Sequence, residues 1–167
     1  MTLVVETGDG LSNATSYISV ADADSYFSDR NNSAWAALTT AQKEAGLLYA
    51  TTTLDTQYKW DGYKKTSTQA LDWPRISAED GNGDLVENQV PVKIKQACCE
   101  LALLHQTGAL NSTFDRGGSV KREKVGSVEV EYFDGAPAGK TYPFIDNLVA
   151  EYQSSGGGAY TIELIRS

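Results

Sequence analysis

Asp80-Gly81-Asn82-Gly83-Asp84 is the stretch of this sequence best suited to holding an ion. Carboxylates and an amide at alternate positions match the first three ligands of a calcium loop. The sixth position of such a loop should be glycine and is Leu85; the twelfth should be glutamate and is Pro91. With the sharp turn and the bidentate ligand both missing, a solvated turn is the better reading of Asp80, Asn82 and Asp84. Acid–base chemistry has one imidazole to draw on, His105, near the end of a predicted helix, where a helix-dipole partner is the usual role. Gly156-Gly157-Gly158 has no Lys-Ser or Lys-Thr after it, so it is not a phosphate loop. Cys98 and Cys99 are adjacent in a predicted helix and point apart, which suits neither a disulfide framework nor a metal site and fits a reducing cytoplasm. No nucleophile–base pair emerges. The expectation is a protein that is not an enzyme and needs no cofactor.

A second kind of chemistry is stacking on nucleic-acid bases. Trp35, Trp60 and Trp73 could each serve, and Lys59, Lys64, Lys65 and Arg75 lie near two of them in sequence. Burial is the commoner fate of tryptophan, and no long basic stripe accompanies the rings. The formal charge of −8, from 14 Lys plus Arg against 22 Asp plus Glu, also opposes binding driven by phosphate neutralisation. The main basic cluster is Lys121-Arg122-Glu123-Lys124.

The elements that position these residues are mostly helical. One helix is capped by Ser19, with Val20, Ala23 and Phe27 on one face. Thr39 or Thr40 opens a second, in which Leu47, Ala50, Leu54 and Tyr58 recur at helical spacing. A third begins at Pro91, buries Ile94, Ala97, Cys98, Leu101 and Leu104, and closes at Gly108. A short fourth carries Ile145, Leu148, Val149 and Tyr152 on one stripe. Between the last two, residues 120–133 alternate with period two around a Gly126-Ser127 turn. That register sets Lys124 opposite Glu129 and Arg122 opposite Glu131, so the basic cluster already has partners. Val128, Val130 and Tyr132 then form an apolar edge that calls for cover. After the glycine run, Tyr160, Ile162 and Leu164 make another on a C-terminal strand arm, residues 156–167. This arm could pair with its own hairpin, with Leu3-Val4-Val5, or with a neighbouring subunit.

The segment from Lys59 to Arg75 concentrates aromatic surface where no regular element is expected. Gly62 is free to take a positive φ, and Pro74 biases Trp73 toward extended backbone. A loop with this much ring surface reads as a strap fixed onto helices, built from Trp60, Gly62, Gln69, Leu71, Trp73, Pro74 and Arg75. The whole is expected to be one mainly α (α+β) domain, residues 1–167, with its helical body over about 15–155. No apolar run reaches the roughly 20 residues that span a bilayer, and MTLVVETGDG does not resemble a signal peptide.

Tyr17-Ile18-Ser19-Val20-Ala21-Asp22-Ala23-Asp24-Ser25-Tyr26-Phe27 comes first in a longer pattern. It continues through Trp35, Ala50-Thr51-Thr52-Thr53-Leu54-Asp55, Trp60-Asp61-Gly62 and Gln69-Ala70-Leu71-Asp72-Trp73-Pro74-Arg75 to the Pro91 helix with Ala97, Glu100, Leu101 and Ala102. In that order these resemble the head–tail connector (adaptor, or head-completion) proteins of tailed bacteriophages, a family also labelled DnaT-like single-stranded-DNA-binding protein. The resemblance covers roughly residues 15–108, and the Gln-x-Leu-x-Trp-Pro-Arg run after Trp-x-Gly is its most specific part. It implies a four-helix connector-type domain with an inserted hairpin and extended terminal strands. It further implies a virion protein made in the host cytoplasm, a homo-oligomeric ring, commonly a dodecamer, beneath the portal protein. Such a ring extends the DNA channel and receives a tail-completion or stopper protein. DNA would pass without specific binding, and no membrane is involved. The alternative implied by the second label is a single-stranded-DNA-binding protein.

Overall fold

The computed structural model describes residues 3–108 and 142–154, together with the backbone of residues 120–124 and 129–132. Ser19 takes an extended conformation and its hydroxyl accepts from the Asp22 amide at 3.0 Å, opening α1, Val20–Ser28. A one-turn helix, α2 (Ser33–Ala36), follows under an Asn32 cap. Sequence periodicity does not anticipate α2, because four residues cannot display a helical period. Thr39 and Gln42 form a reciprocal capping box at the head of α3, Thr40–Gln57. The next long helix, α4, is Val92–Gln106, with Pro91 at its N-cap and Gly108 just past its end at φ +75°.

The core is the antiparallel α3–α4 pair. Gly46 lies so close to α4 that an added Cβ would sit 3.1 Å from the Ala102 carbonyl oxygen. Further along, the Thr51 hydroxyl lies 3.5 Å from Cys98 Sγ while donating back to the Leu47 carbonyl. Small residues at these positions let the backbones approach, and Leu47, Leu54, Ile94 and Leu101 fill the seam with no exposure. Each such side chain contributes about 1.5–3 kcal/mol by leaving water. Ala23, Phe27 and Trp35 close one side; Ile145 and Val149 of α5 (Pro143–Val149) close another. A 3-10 turn, Ala150–Tyr152, continues α5. Tyr58 Oη donates to Asp146 at 2.7 Å and Lys93 pairs with Glu151 at 2.6 Å, so the α5 segment is pinned to the ends of both long helices.

Strands are few. β1 (Tyr63–Lys64) and β2 (Arg75–Ile76) pair antiparallel inside the segment for which no regular element was expected. β3 (Val120–Lys124) and β4 (Glu129–Tyr132) pair in the register expected from the charges, Lys124 opposite Glu129 and Arg122 opposite Glu131. The ladder slips by one residue between Val120 and Arg122, a bulge that the alternation does not encode. The Gly126-Ser127 turn, Val128 and residues 155–167 with Tyr160, Ile162 and Leu164 lie outside the described residues, as do the side chains of Val130 and Tyr132.

At the N-terminus Leu3-Val4-Val5, offered above as a pairing partner for the C-terminal arm, is joined on one side to the segment before α1: Val4 O accepts from the Thr15 and Ser16 amides at 2.7 and 3.2 Å, and Val5 bridges Ser16 in parallel. The hydrophobic pattern gave no hint of this, because the pairing partner Thr15-Ser16 is polar and lies just before the first helix.

Candidate interaction surface at the aromatic strap

Lys59 to Arg75 forms a strap whose polar residues serve its own backbone. Gln69, nearly fully buried, accepts from the Thr66 amide at 2.9 Å and donates through Nε2 to the Leu71 and Pro74 carbonyls at 2.8 and 3.0 Å. The Arg75 guanidinium donates to the carbonyls of Asp61, Asp72 (3.1 Å) and Gly62 (2.7 Å). Gly62 has φ +67°, and a Cβ there would fall 2.3 Å from the Ile76 carbonyl oxygen, so no other residue fits. Leu71, Trp73 and Pro74 are buried, and the Trp73–Pro74 peptide is cis.

The rings face inward. Trp73 has no exposure and meets Trp60 and Tyr152 edge-on, with centroids 6.1 and 5.8 Å away. Trp60 is 5% exposed and stands against Tyr58, while Trp35, 1% exposed, stacks on Phe27 and donates its indole N–H to Asp24. None of the three tryptophans is an open stacking platform. The most exposed ring in the strap is Tyr63, 73% exposed, which lies across the ladder from Ile76.

A polar hub that sequence reasoning missed ties the strap to the helices. Tyr17 Oη donates to the Asp55 carboxylate and accepts from the Asp72 and Trp73 amides at 3.2 Å each. The other Asp55 oxygen accepts from the Asp72 amide, and Lys64 pairs with Asp72 at 2.9 Å. Burial pushes the Asp55 carboxyl up to about 6, with the Asp72 charge adding to the rise and the Tyr17 and Asp72 hydrogen bonds opposing it. Burial also holds the Tyr17 phenol well above its ordinary range. Tyr17 and Asp55 are far apart in sequence, and no local spacing connects them.

The N-terminal loop and the segment that follows α5 both reach this strap. Glu6, 2% exposed, accepts from the Gly8, Gly10 and Leu11 amides and so closes a tight N-terminal loop. Lys65 donates to the Gly8 carbonyl, and Ala70 N to the Leu11 carbonyl. On the opposite side Trp60 pairs antiparallel with Gln153; Asp61 N donates to Tyr152 O and Ser154 N to Lys59 O, each at 2.9 Å. Trp60, Asp61, Gly62, Tyr63, Ser77 and Ser154 line an open cavity of about 370 Å³ there.

The other chemical candidates are placed as follows. Asp80 accepts from the Asn82 and Asp84 amides at 2.8 and 3.0 Å, which holds its carboxyl below the ordinary value and closes the loop as a turn. Among the described residues no three His, Cys, Asp or Glu side chains are grouped to hold a metal ion. His105 stacks face to face on Tyr49, centroids 3.9 Å apart. Cys98 and Cys99 are buried, and burial pushes the Cys98 thiol up to about 12 and Cys99 up as well. No helix among the described residues is long and apolar enough to cross a membrane.

The family model described as "Putative DnaT-like ssDNA binding protein" matches residues 1–167. The chain belongs to that family. No curated protein and no solved structure matches it. In this DnaT-like chain, the described cations are largely occupied. Lys43 pairs with Asp24, Lys64 with Asp72 and Lys93 with Glu151. Lys65 and Arg75 hold strap carbonyls and loop carbonyls, and Arg30 lies 3.6 Å over the Tyr26 ring. Lys59 and Lys95 are the described basic residues without such a partner.

Proposed function

We propose that this protein is a structural subunit of a bacteriophage head–tail interface, a connector that assembles as a ring under the portal and docks the next tail component. The observation that carries the reading is that, among the described residues, most cations are engaged internally and the tryptophans are buried, on a chain of net charge −8. A ring of such subunits repels phosphate, so a duplex slides through its channel instead of adhering. The rigid strap, held by backbone-directed Gln69 and Arg75, is the part of the subunit suited to present a fixed surface to partners. The resemblance across residues 15–108 supplies the assembly context; the surface physics supports it from a separate direction. Imaging of purified virions tests the reading: the protein is expected as a ring at the head–tail vertex, and its absence from virions refutes the proposal.

A second reading, binding of single-stranded DNA, is what the family match speaks for more directly. It would have to work through exposed rings such as Tyr63 and unpaired cations such as Lys59, since the tryptophans are inside. Titration of a fluorescent, unstructured oligonucleotide separates the two. The connector reading expects little binding at about 150 mM salt. Submicromolar affinity that weakens steeply as salt rises would establish the second reading in its place.

A further inference from the structure

We propose that the loop from Gly8 to Leu11 is a carboxylate-binding site built by the strap, filled in the folded chain by Glu6 and open to an external carboxylate once that side chain is removed. Neither reading of the function assigns this site, and neither is needed for it. Three amides converge on one place: Gly8 N and Gly10 N donate to Glu6 Oε1 at 2.9 Å each, and Leu11 N donates to Oε2 at 2.8 Å. Gly8 and Gly10 reach this arrangement with φ of +104° and +78°, on either side of Asp9. Amides of successive residues turned to one side of a loop form a concavity that suits an anion. Glu6 is 2% exposed, so its charge has left water and is balanced by these charge-assisted bonds.

The loop has supports other than Glu6. The same three residues are held by their carbonyls on the strap side: Lys65 Nζ donates to Gly8 O at 2.8 Å, the Thr66 hydroxyl to Gly10 O at 3.4 Å, and Ala70 N to Leu11 O at 3.0 Å. Gly8 also packs on the segment before α4, where a Cβ would fall 2.4 Å from the Asn88 carbonyl oxygen. Gln69 and Arg75 fix the strap in turn. Deleting the Glu6 side chain therefore leaves three oriented donors, a receptor that a ligand need not assemble. Its occupant is set by shape and charge. Two amides share one oxygen and the third takes the other, which fits a flat, two-oxygen anion. Asp9, whose carboxylate accepts from the Thr7 hydroxyl at 2.6 Å, stands in the same loop and opposes added negative charge. A singly charged carboxylate is thus favoured over a phosphate dianion.

Chemical rescue of the full chain tests the site. Glu6→Ala is expected to lower the melting temperature, and sodium formate to restore it in a saturable way. Formate at about ten times its Kd should raise the variant's folded-to-unfolded ratio about elevenfold. Sodium chloride at the same ionic strength should not, and wild-type protein, whose site is filled, should respond equally to the two salts. In amide NMR spectra of the variant, formate should shift Gly8, Gly10 and Leu11 with one common Kd. Rescue no better than that by chloride, rescue equal in wild type, or shifts spread away from these three amides each overturn the proposal. Phosphate that rescues as well as formate overturns the choice of a carboxylate. If Glu6→Ala is unfolded in buffer, the same titration reads recovery of helical circular dichroism, and a formate series without recovery refutes the site. Glu6→Gln keeps the shape and one acceptor oxygen; it should fold, move the three amide resonances upfield and show no formate rescue. Resonances that stay in place mean that the Glu6 carboxylate is not their acceptor, and the site is lost.

Discussion

Trp73→Ala is expected to lower the free energy of unfolding by about 3–5 kcal/mol, the range for removing a large aromatic side chain from a core. The indole has no exposure and lies between Trp60, Tyr152 and the hub at Tyr17. Its removal leaves a cavity where strap, α3 and the 3-10 turn meet, and the neighbours are large rings that cannot collapse into it cheaply. Equilibrium urea denaturation of the full chain gives the number, through a lower midpoint at unchanged slope. A variant that keeps its midpoint yet fails to attach to its partner would show the ring to be a contact residue, and the scaffold role of the strap would be lost.

Asp55 should make stability depend on pH in the sense opposite to an ion-paired carboxylate. Its folded pKa of about 6 lies above the ordinary 3.8, so the folded state binds its proton more tightly than the unfolded chain does. The contribution is therefore fully present below about pH 4 and is lost as pH rises through 6. Two pKa units correspond to at most about 3 kcal/mol. Asp24 and Glu151, whose carboxyls are held low, act in the other direction, so the wild-type profile alone is a composite. The difference between wild type and Asp55→Asn isolates the effect. That difference should shift by up to about 3 kcal/mol in favour of the variant between pH 4 and pH 7, measured by urea unfolding at each pH. A difference that stays flat across the interval means that the Tyr17 and Asp72 hydrogen bonds offset burial and Asp55 remains ionised throughout.

How much of this could be read in advance depends on the range of the interaction. The faces of α3 and α4 are written in a local period, and Leu47, Ala50, Leu54, Ile94, Ala97, Cys98 and Leu101 are buried as that period implies. The β3–β4 register is also local, because opposite charges at fixed offsets admit few alignments. The roles of Gln69 and Arg75 were hidden for a different reason: they act on carbonyls, which every residue carries, so sequence does not mark the acceptor. Glu6 is a similar case, a carboxylate saturated by the amides of its own loop. The Tyr17–Asp55–Asp72 hub joins three distant segments, and the N-terminal segment is joined on one side to a polar partner that hydrophobic patterning passes over.

The pairing of Trp60 with Gln153 also bears on the order in which the molecule is completed. The strap leaves the ribosome long before the residues that cover it, since Tyr152 lies 79 residues after Trp73. At synthesis rates of about 5–20 residues per second, that interval is on the order of ten seconds. During it Trp73 lacks the ring of Tyr152, and Trp60 the backbone of Gln153, that cover them in the folded protein. Closure is a long-range event with a correspondingly large loop-closure entropy. Aggregation during synthesis is thus expected to be a hazard from the emergence of Trp60 and Trp73 until the short turn that covers them arrives.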